Sequence, residues 1–394
     1  MDIGYWIKKQ GYTIQEVANE VGISRRTLSN YIAGVRMPPR NVLQRIATII
    51  GCDPQCLLGN GQTLCDNEEG VFERKSLAKS RAAVLKTLDR QIIDCYEDRL
   101  ALAWRYYYSG HVLSAIQEAS TPLRWLESDL EAARGQAWGL LLGFQGRFLQ
   151  VIATAWRDLL TFEQALPHIN RALAIALHLD QAELLASALL RRARIYLLLN
   201  LPQLAIRDLE RASVYAQRSR DPLKSYVEIC LAEAYSLLPD RESQNGALRK
   251  LDQIGNLLAA IRGPLDGDGS YTRVDTVGWM IERSHVLARI GRLREAREAL
   301  ESMIDQVGGA WTRWQGNFSL AFAELSLRIK ELDECCSYLR QALVIAQALG
   351  SRNQIVRIKS IIEGLMTIDP HCQSVSGLMR DLGDLIRSIV GKGQ

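Results

Sequence analysis

The chain has 394 residues, of which 47% are hydrophobic and 23% charged. With 29 glycines and ten prolines, it is no collagen-like or low-complexity polymer and is long enough for two or three domains with cores. Its 48 basic and 44 acidic residues leave a formal +4, too small an excess to mark the whole chain as a polyanion binder. Residues 1–60, however, hold seven Lys and Arg against four Asp and Glu, so +3 of that excess lies in the first sixth of the chain.

The opening MDIGYWIKKQ has an acid at position two and no apolar run of signal-peptide length. Residues 2–59 then read as five short helices: Ile3–Gln10, Ile14–Glu20, Arg25–Ala33, Arg40–Ile50 and Asp53–Leu58. Thr13 and Ser24 stand where a hydroxyl accepts an orphan backbone N–H at a helix start. Gly22 stands where a tight turn needs a left-handed backbone, and Gly34 closes the third helix. Val17, Ala18, Val21, Ile23, Leu28, Ile32, Leu43, Ile46 and Ile50 supply one core. Arg25, Arg26, Ser29 and Asn30 fall on the outward face of the third helix. Arginine's fork matches guanine O6/N7, and asparagine can do the same for adenine N6/N7. Thr13, Gln15, Ser24, Arg36 and Arg40 lie near helix starts or the following loop, suited to phosphate contacts that fix register.

The run TIQEVANEVGISRRTLSNYIAGVRMPPRNVLQRIATIIGCDPQCLL resembles the Cro/CI-type helix-turn-helix (XRE family) of phage and bacterial repressors, over essentially all of residues 2–59. The resemblance implies a double-stranded DNA operator as partner. One departure concerns packing: the family often has Glu two residues before the closing glycine, and here it is Ile32.

Residues 60–76 are polar and without sustained period, and are expected to be a linker. Nearby Cys52, Cys56 and Cys65 lack CxxC spacing and a neighbouring histidine, so no metal site is expected there. Residues 77–394 read as helices throughout, giving an all-α chain. Gln145, Arg147 and Gln150 interrupt the most apolar stretch, so no membrane span is expected. Eight cysteines do not suggest a secreted disulfide scaffold, and a reduced, cytoplasmic setting is expected.

A small residue, an aromatic three later and a second small residue twelve later recur as Ala103/Tyr106/Ala115, Ala153/Trp156/Ala165 and Ala193/Tyr196/Ala205. Ala232/Tyr235 opens a fourth instance, but Ala247 follows by fifteen, across Pro239. Ser284/Ala296 and Ala323/Cys335 keep the spacing without the aromatic, and Ala172, Ala212 and Ala342 add a third small position. Small residues are needed where two antiparallel helices approach closely. This pattern resembles a tetratricopeptide array, an α-solenoid of about six helix pairs over residues 95–350. Leu77–Asp94 leads it, and Asn353–Ile368 and Ser374–Val390 trail it as caps or dimer contacts.

Enzyme signatures are absent from the sequence: there is no GxxxxGK[ST], HExxH or GxSxG, and His111, His168, His178, His285 and His371 are scattered. DGDGSY at 266–271 has calcium-loop flavour, but Tyr271 and Val277 replace the required Gly and Glu, so it reads as a connection. No enzyme activity and no cofactor are expected.

A helix-turn-helix ahead of such an array resembles the RRNPP-type peptide-responsive regulators. That resemblance implies a homodimer and a short peptide or partner protein in the concave groove. By the pattern of tetratricopeptide pairs, the groove-facing residues would be Trp104, Tyr107, Arg147, Gln150, Arg157, Arg194, Tyr226, Glu233, His285, Asn317 and Glu324. Positive charge thus gathers in early repeats, to meet a peptide carboxylate, and negative charge in late ones, to meet its amino end. The alternative is a DNA-binding scaffold, such as an antitoxin or defence-system component, that regulates its own synthesis and binds a partner protein.

Overall fold

The computed structural model describes residues 3, 4, 7, 12–33, 36–50, 57, 90–217, 221–260, 270–272, 274, 276–310, 312–369 and 373–391. The expected linker 60–76, Cys52, Cys56 and Cys65, most of Asp53–Leu58 and residues 266–269 of the calcium-like run lie outside them. Among the described residues all regular structure is helical.

The amino-terminal helices are α1 (Ile14–Val21), α2 (Arg25–Ile32) and α3 (Arg40–Ile50), and caps set the starts of the first two. Thr13 and Glu16 make a reciprocal capping box: the Thr13 hydroxyl accepts from Glu16 N at 3.2 Å, and the Glu16 carboxylate accepts from Thr13 N at 2.9 Å. Gly22 ends α1 at φ +75°, and Ile23 N donates to Ala18 O at 3.0 Å across it. Ser24 caps α2 by accepting from Thr27 N at 3.0 Å. The core keeps seven of the nine expected residues and adds Ile3, Ile7, Tyr31, Ala47 and Leu57, while Ile23 and Ile32 only pack against it. Ile32 lies over Gly4, where an added Cβ would stand 2.7 Å from its Cγ2. The apolar residue at position 32 is therefore matched by the missing side chain of Gly4.

The remaining helices are α4 (Arg90–Tyr108), α5 (Val112–Ala132), α6 (Gly135–Asp158), α7 (Phe162–Leu179), α8 (Ala182–Leu198), α9 (Pro202–Ala216), α10 (Asp221–Ser236), α11 (Arg241–Ala260), α12 (Thr276–Arg289), α13 (Leu293–Glu301), α14 (Ile304–Val307), α15 (Thr312–Ile329), α16 (Leu332–Leu349), α17 (Arg352–Ile368) and α18 (Gln373–Gly391). This is the tetratricopeptide-type array of helix pairs, with α17 and α18 trailing it. The expected break near residue 94 is absent, because α4 runs through it. Every small residue of the recurring pattern is buried, from Ala103 to Ala342.

One backbone rule explains the spacing. Seven residues after the small anchor the chain turns left-handed, at Gly110 (φ 91°), Leu160 (57°), Asn200 (56°), Gly291 (88°) and Lys330 (64°). The next N–H then donates back to the residue three after the anchor: His111 to Tyr106 O, Thr161 to Trp156 O, Leu201 to Tyr196 O, Arg292 to Leu287 O and Glu331 to Ser326 O, all at 2.8–3.0 Å. In the fourth pair this position is Pro239, whose ring holds φ near −65°. The left-handed turn is closed to it, so the connection lengthens and Ala247 follows Ala232 by fifteen. A bulky L-residue in this conformation is strained by about 1–2 kcal/mol, and glycine's greater unfolded-state freedom returns part of that. Lys330→Gly is therefore expected to stabilise the protein by up to about 1 kcal/mol, read as a raised urea midpoint. A lowered midpoint would contradict the strain.

The chain divides into two compact units. The first comprises residues 1–103, 116–157 and 161–195. In it, α3 packs on α7: Asn170 Nδ2 donates to Ile49 O at 3.4 Å, and buried Arg192 donates to Asn170 Oδ1 at 3.0 Å and to the Tyr12 hydroxyl at 3.2 Å. The second unit comprises residues 104–115, 158–160 and 196–394. Its apolar clusters follow α10–α16 and α15–α18. Arg313 is half-buried in it, donating to both Asp158 oxygens at 2.9 and 3.0 Å and to Tyr107 O at 3.1 Å.

Candidate nucleic-acid interface and ligand-facing residues

Helix α2 has two faces set by its sequence. Leu28 and Tyr31 are buried, whereas Arg25, Arg26 and Asn30 are exposed and Ser29 is half-buried. The three side chains with the base-reading chemistry thus stand on one solvent face of a helix whose opposite face is anchored. Thr13 and Ser24 have their hydroxyls engaged as caps, and Gln15 Nε2 donates to Asn19 Oδ1 at 2.9 Å. Arg36 is exposed, and Arg40 is the first residue of α3. Arg45 was not among the expected contacts. It is exposed, with its guanidinium 3.8 Å from where a Cβ on Gly22 would lie, beside the turn that leads into α2. The signal was available, because Leu43, Ile46, Ala47 and Ile50 claim the inner face of α3 and leave position 45 outward.

The expected groove residues are taken unit by unit. In the first, Arg147 is half-buried with its guanidinium 5.7 Å from the Phe144 ring centre. Arg157 and Arg194 are half-buried. Gln150 is buried, and its amide donates to Leu184 O at 3.3 Å. In the second, Trp104 and Tyr107 are buried. Trp104 stacks on Tyr271 at 6.0 Å and Tyr108 at 5.9 Å, and Tyr107 lies under the Arg313 guanidinium at 4.7 Å. Gln150, Trp104 and Tyr107 therefore have packing roles where an open groove was expected. Tyr226 is half-buried, and Asn317 accepts from Gln354 Nε2 at 3.1 Å.

The late glutamates also differ from expectation. Glu233 is paired with Arg289 at 3.6 Å. Glu324 is held by Arg357 at 2.8 Å and by His285 Nδ1 at 3.3 Å. Arg357 also donates to His285 Nε2 at 3.3 Å, so the network assigns the imidazole proton to Nδ1, facing Glu324. The negative charge of the late repeats is thus answered by arginines of the same unit, and the simple charge polarity read from the sequence does not hold.

Burial pushes the Glu324 carboxyl up, but the Arg357 charge and the His285 contacts outweigh it and hold the group well below the usual carboxylate range. A carboxyl depressed in the folded state contributes stability that is present above its unfolded value near 4.5 and is lost as pH falls below it. Glu324→Gln is expected to flatten the loss of stability as pH falls below about 5, where the carboxyl takes up its proton in the unfolded chain but stays ionised in the folded one. An unchanged pH slope in urea midpoints would contradict the assignment. Among the described residues, no group of three His, Cys, Asp or Glu side chains gathers where it could hold a metal ion. No helix among them is long and apolar enough to cross a membrane.

Comparison with known proteins agrees with the amino-terminal geometry. Residues 3–55 match the helix-turn-helix family model. No curated protein sequence matches the chain. Among solved structures, the chain is similar to a kinesin light chain of Podosopora anserina with TPR-like repeats, at 20% identity over 52% of this chain and 91% of that one, with a TM-score of 0.36. It is also similar to PlcR of Bacillus thuringiensis, solved in complex with a peptide and DNA, at 12% identity over 99% and 97% of the two chains, with a TM-score of 0.26. Residues 3–55 thus form a helix-turn-helix (XRE-type) domain, and tetratricopeptide-type helix pairs follow it.

Proposed function

We propose that the protein is a sequence-specific transcriptional regulator whose α2 enters the major groove of an operator, and whose helical array binds a peptide or protein ligand that changes its affinity for DNA. The observation that supports this best is the exposed Arg25, Arg26 and Asn30 face of α2, backed by buried Leu28 and Tyr31. Arg25, Arg26 and Asn30 read base edges. Thr13, Gln15, Ser24, Ser29, Arg36 and Arg40 serve register, with Arg45 added from its place beside Gly22. One reader covers few base pairs, so the active species is a homodimer that sets two readers about one helical turn apart. A ligand that alters DNA affinity has its own affinity altered equally by DNA. The test is genome-wide mapping of DNA bound by the full chain. Discrete sites sharing one motif are expected; occupancy that follows accessible DNA without a motif would refute the reading.

A further inference from the structure

A small pocket of about 30 Å³ lies in the second unit between α12 and α15. Ser284, His285, Ala288 and Arg289 line it from one helix, and Ala321, Glu324, Leu325 and Arg328 from the other. Arg289 and Arg328 hold the same place in successive repeats, five residues after the small anchors Ser284 and Ala323, so the repeat itself aims both at one space.

The charges do not balance. Arg357, Arg289 and Arg328 bring three guanidiniums to this cluster, while Glu324 and Glu233 bring two carboxylates. Glu324 is consumed by Arg357 and His285, and both ring nitrogens of His285 are engaged. Arg289 meets Glu233 only through Nη2, at 3.6 Å, and its Nη1 is buried with no hydrogen-bond partner. Arg328 gives one bond, to Ala288 O at 2.9 Å. A buried N–H left unmade is costly, and on a charged group more so. A carboxylate is the group whose two oxygens match such donors in a plane.

We propose that the Arg289–Arg328 pocket is a carboxylate subsite of the ligand-binding array, taking either the terminal carboxylate or an acidic side chain of a peptide. The proposal rests on the ligand-binding reading of the array, and the test separates the two. In the first arm, [1-13C]acetate is titrated against the full chain and its carboxylate resonance is followed by NMR. Saturable broadening is expected, lost in both Arg289→Gln and the exposed Arg328→Gln. No broadening, or the same broadening in wild type and both variants, overturns the subsite.

In the second arm, random hexapeptides made both as free acids and as C-terminal amides are panned over the full chain. Enrichment of free acids whatever their side chains assigns the terminal carboxylate. Enrichment of Asp or Glu in both forms assigns a side chain. Either preference should fall by about tenfold or more in the two variants, as expected for a lost charge-assisted bond. Peptides retained equally by wild type and variants overturn the subsite. Acetate held through the pocket while no peptide is enriched keeps the subsite and removes the peptide as ligand.

Discussion

Arg25→Ala, Arg26→Ala and Asn30→Ala are each expected to weaken specific operator binding by about 1–3 kcal/mol, the worth of one bidentate base contact. Non-specific binding should barely change with Asn30→Ala, because the amide carries no charge to release counterions. The physical basis is the division of labour on α2. Leu28 and Tyr31 hold the helix against the core, so truncating outward side chains removes contacts to DNA without loosening the fold. Arg40→Ala should behave differently, weakening specific and non-specific complexes together and lowering the salt slope by about one. Fluorescence anisotropy at several salt concentrations separates the two classes. A triple variant that holds its operator with wild-type affinity would show that α2 does not read the groove.

The largest expected loss of stability comes from Asp158→Ala. Asp158 is buried and Arg313 keeps only 13% of its side chain exposed; desolvation alone would favour the neutral guanidinium, and the Asp158 carboxylate outweighs this and keeps it firmly charged. The Ser351 hydroxyl also approaches the same carboxylate, at 3.5 Å. Removing Asp158 strands a largely buried cation, and breaking such a pair costs up to about 3–5 kcal/mol. Replacing both partners, as Asp158→Ala with Arg313→Met, should recover much of that, since no charge is then left unpaired. A double-mutant cycle on urea midpoints measures the coupling. If the single and double variants lose the same stability, the pair is not what holds these residues together.

How much was legible in the sequence depends on the range of the interaction. Caps and turns are local, so Thr13, Gly22 and Ser24 announced α1 and α2, and the buried small residues announced the helix pairs. The irregular fourth interval was legible too, once Pro239 is seen to occupy the left-handed turn position. The groove was less legible, because a tetratricopeptide position says which way a side chain leaves its helix and not what it then meets. Trp104, Tyr107 and Gln150 meet other side and main chains and are buried, and Glu233 and Glu324 meet arginines 56 and 33 residues away in the chain. Arg289 and Arg328 were missed for the converse reason: the positions five after the anchors hold Tyr108, Asp158, Leu198 and Leu237 in the earlier repeats, so no common chemistry marks them. Nor does any local pattern join Asn170 to Ile49 or Arg192 to Tyr12, which are 121 and 180 residues apart.

The central claim is that this chain reads DNA sequence through α2, and selection from a random pool of duplex DNA by the full protein tests it most directly. The account predicts that wild type enriches a motif of two inverted half-sites about one helical turn apart. The variant carrying Arg25→Ala, Arg26→Ala and Asn30→Ala should enrich none from the same pool. A pool left unenriched by wild type, or the same motif returned by the triple variant, would contradict it.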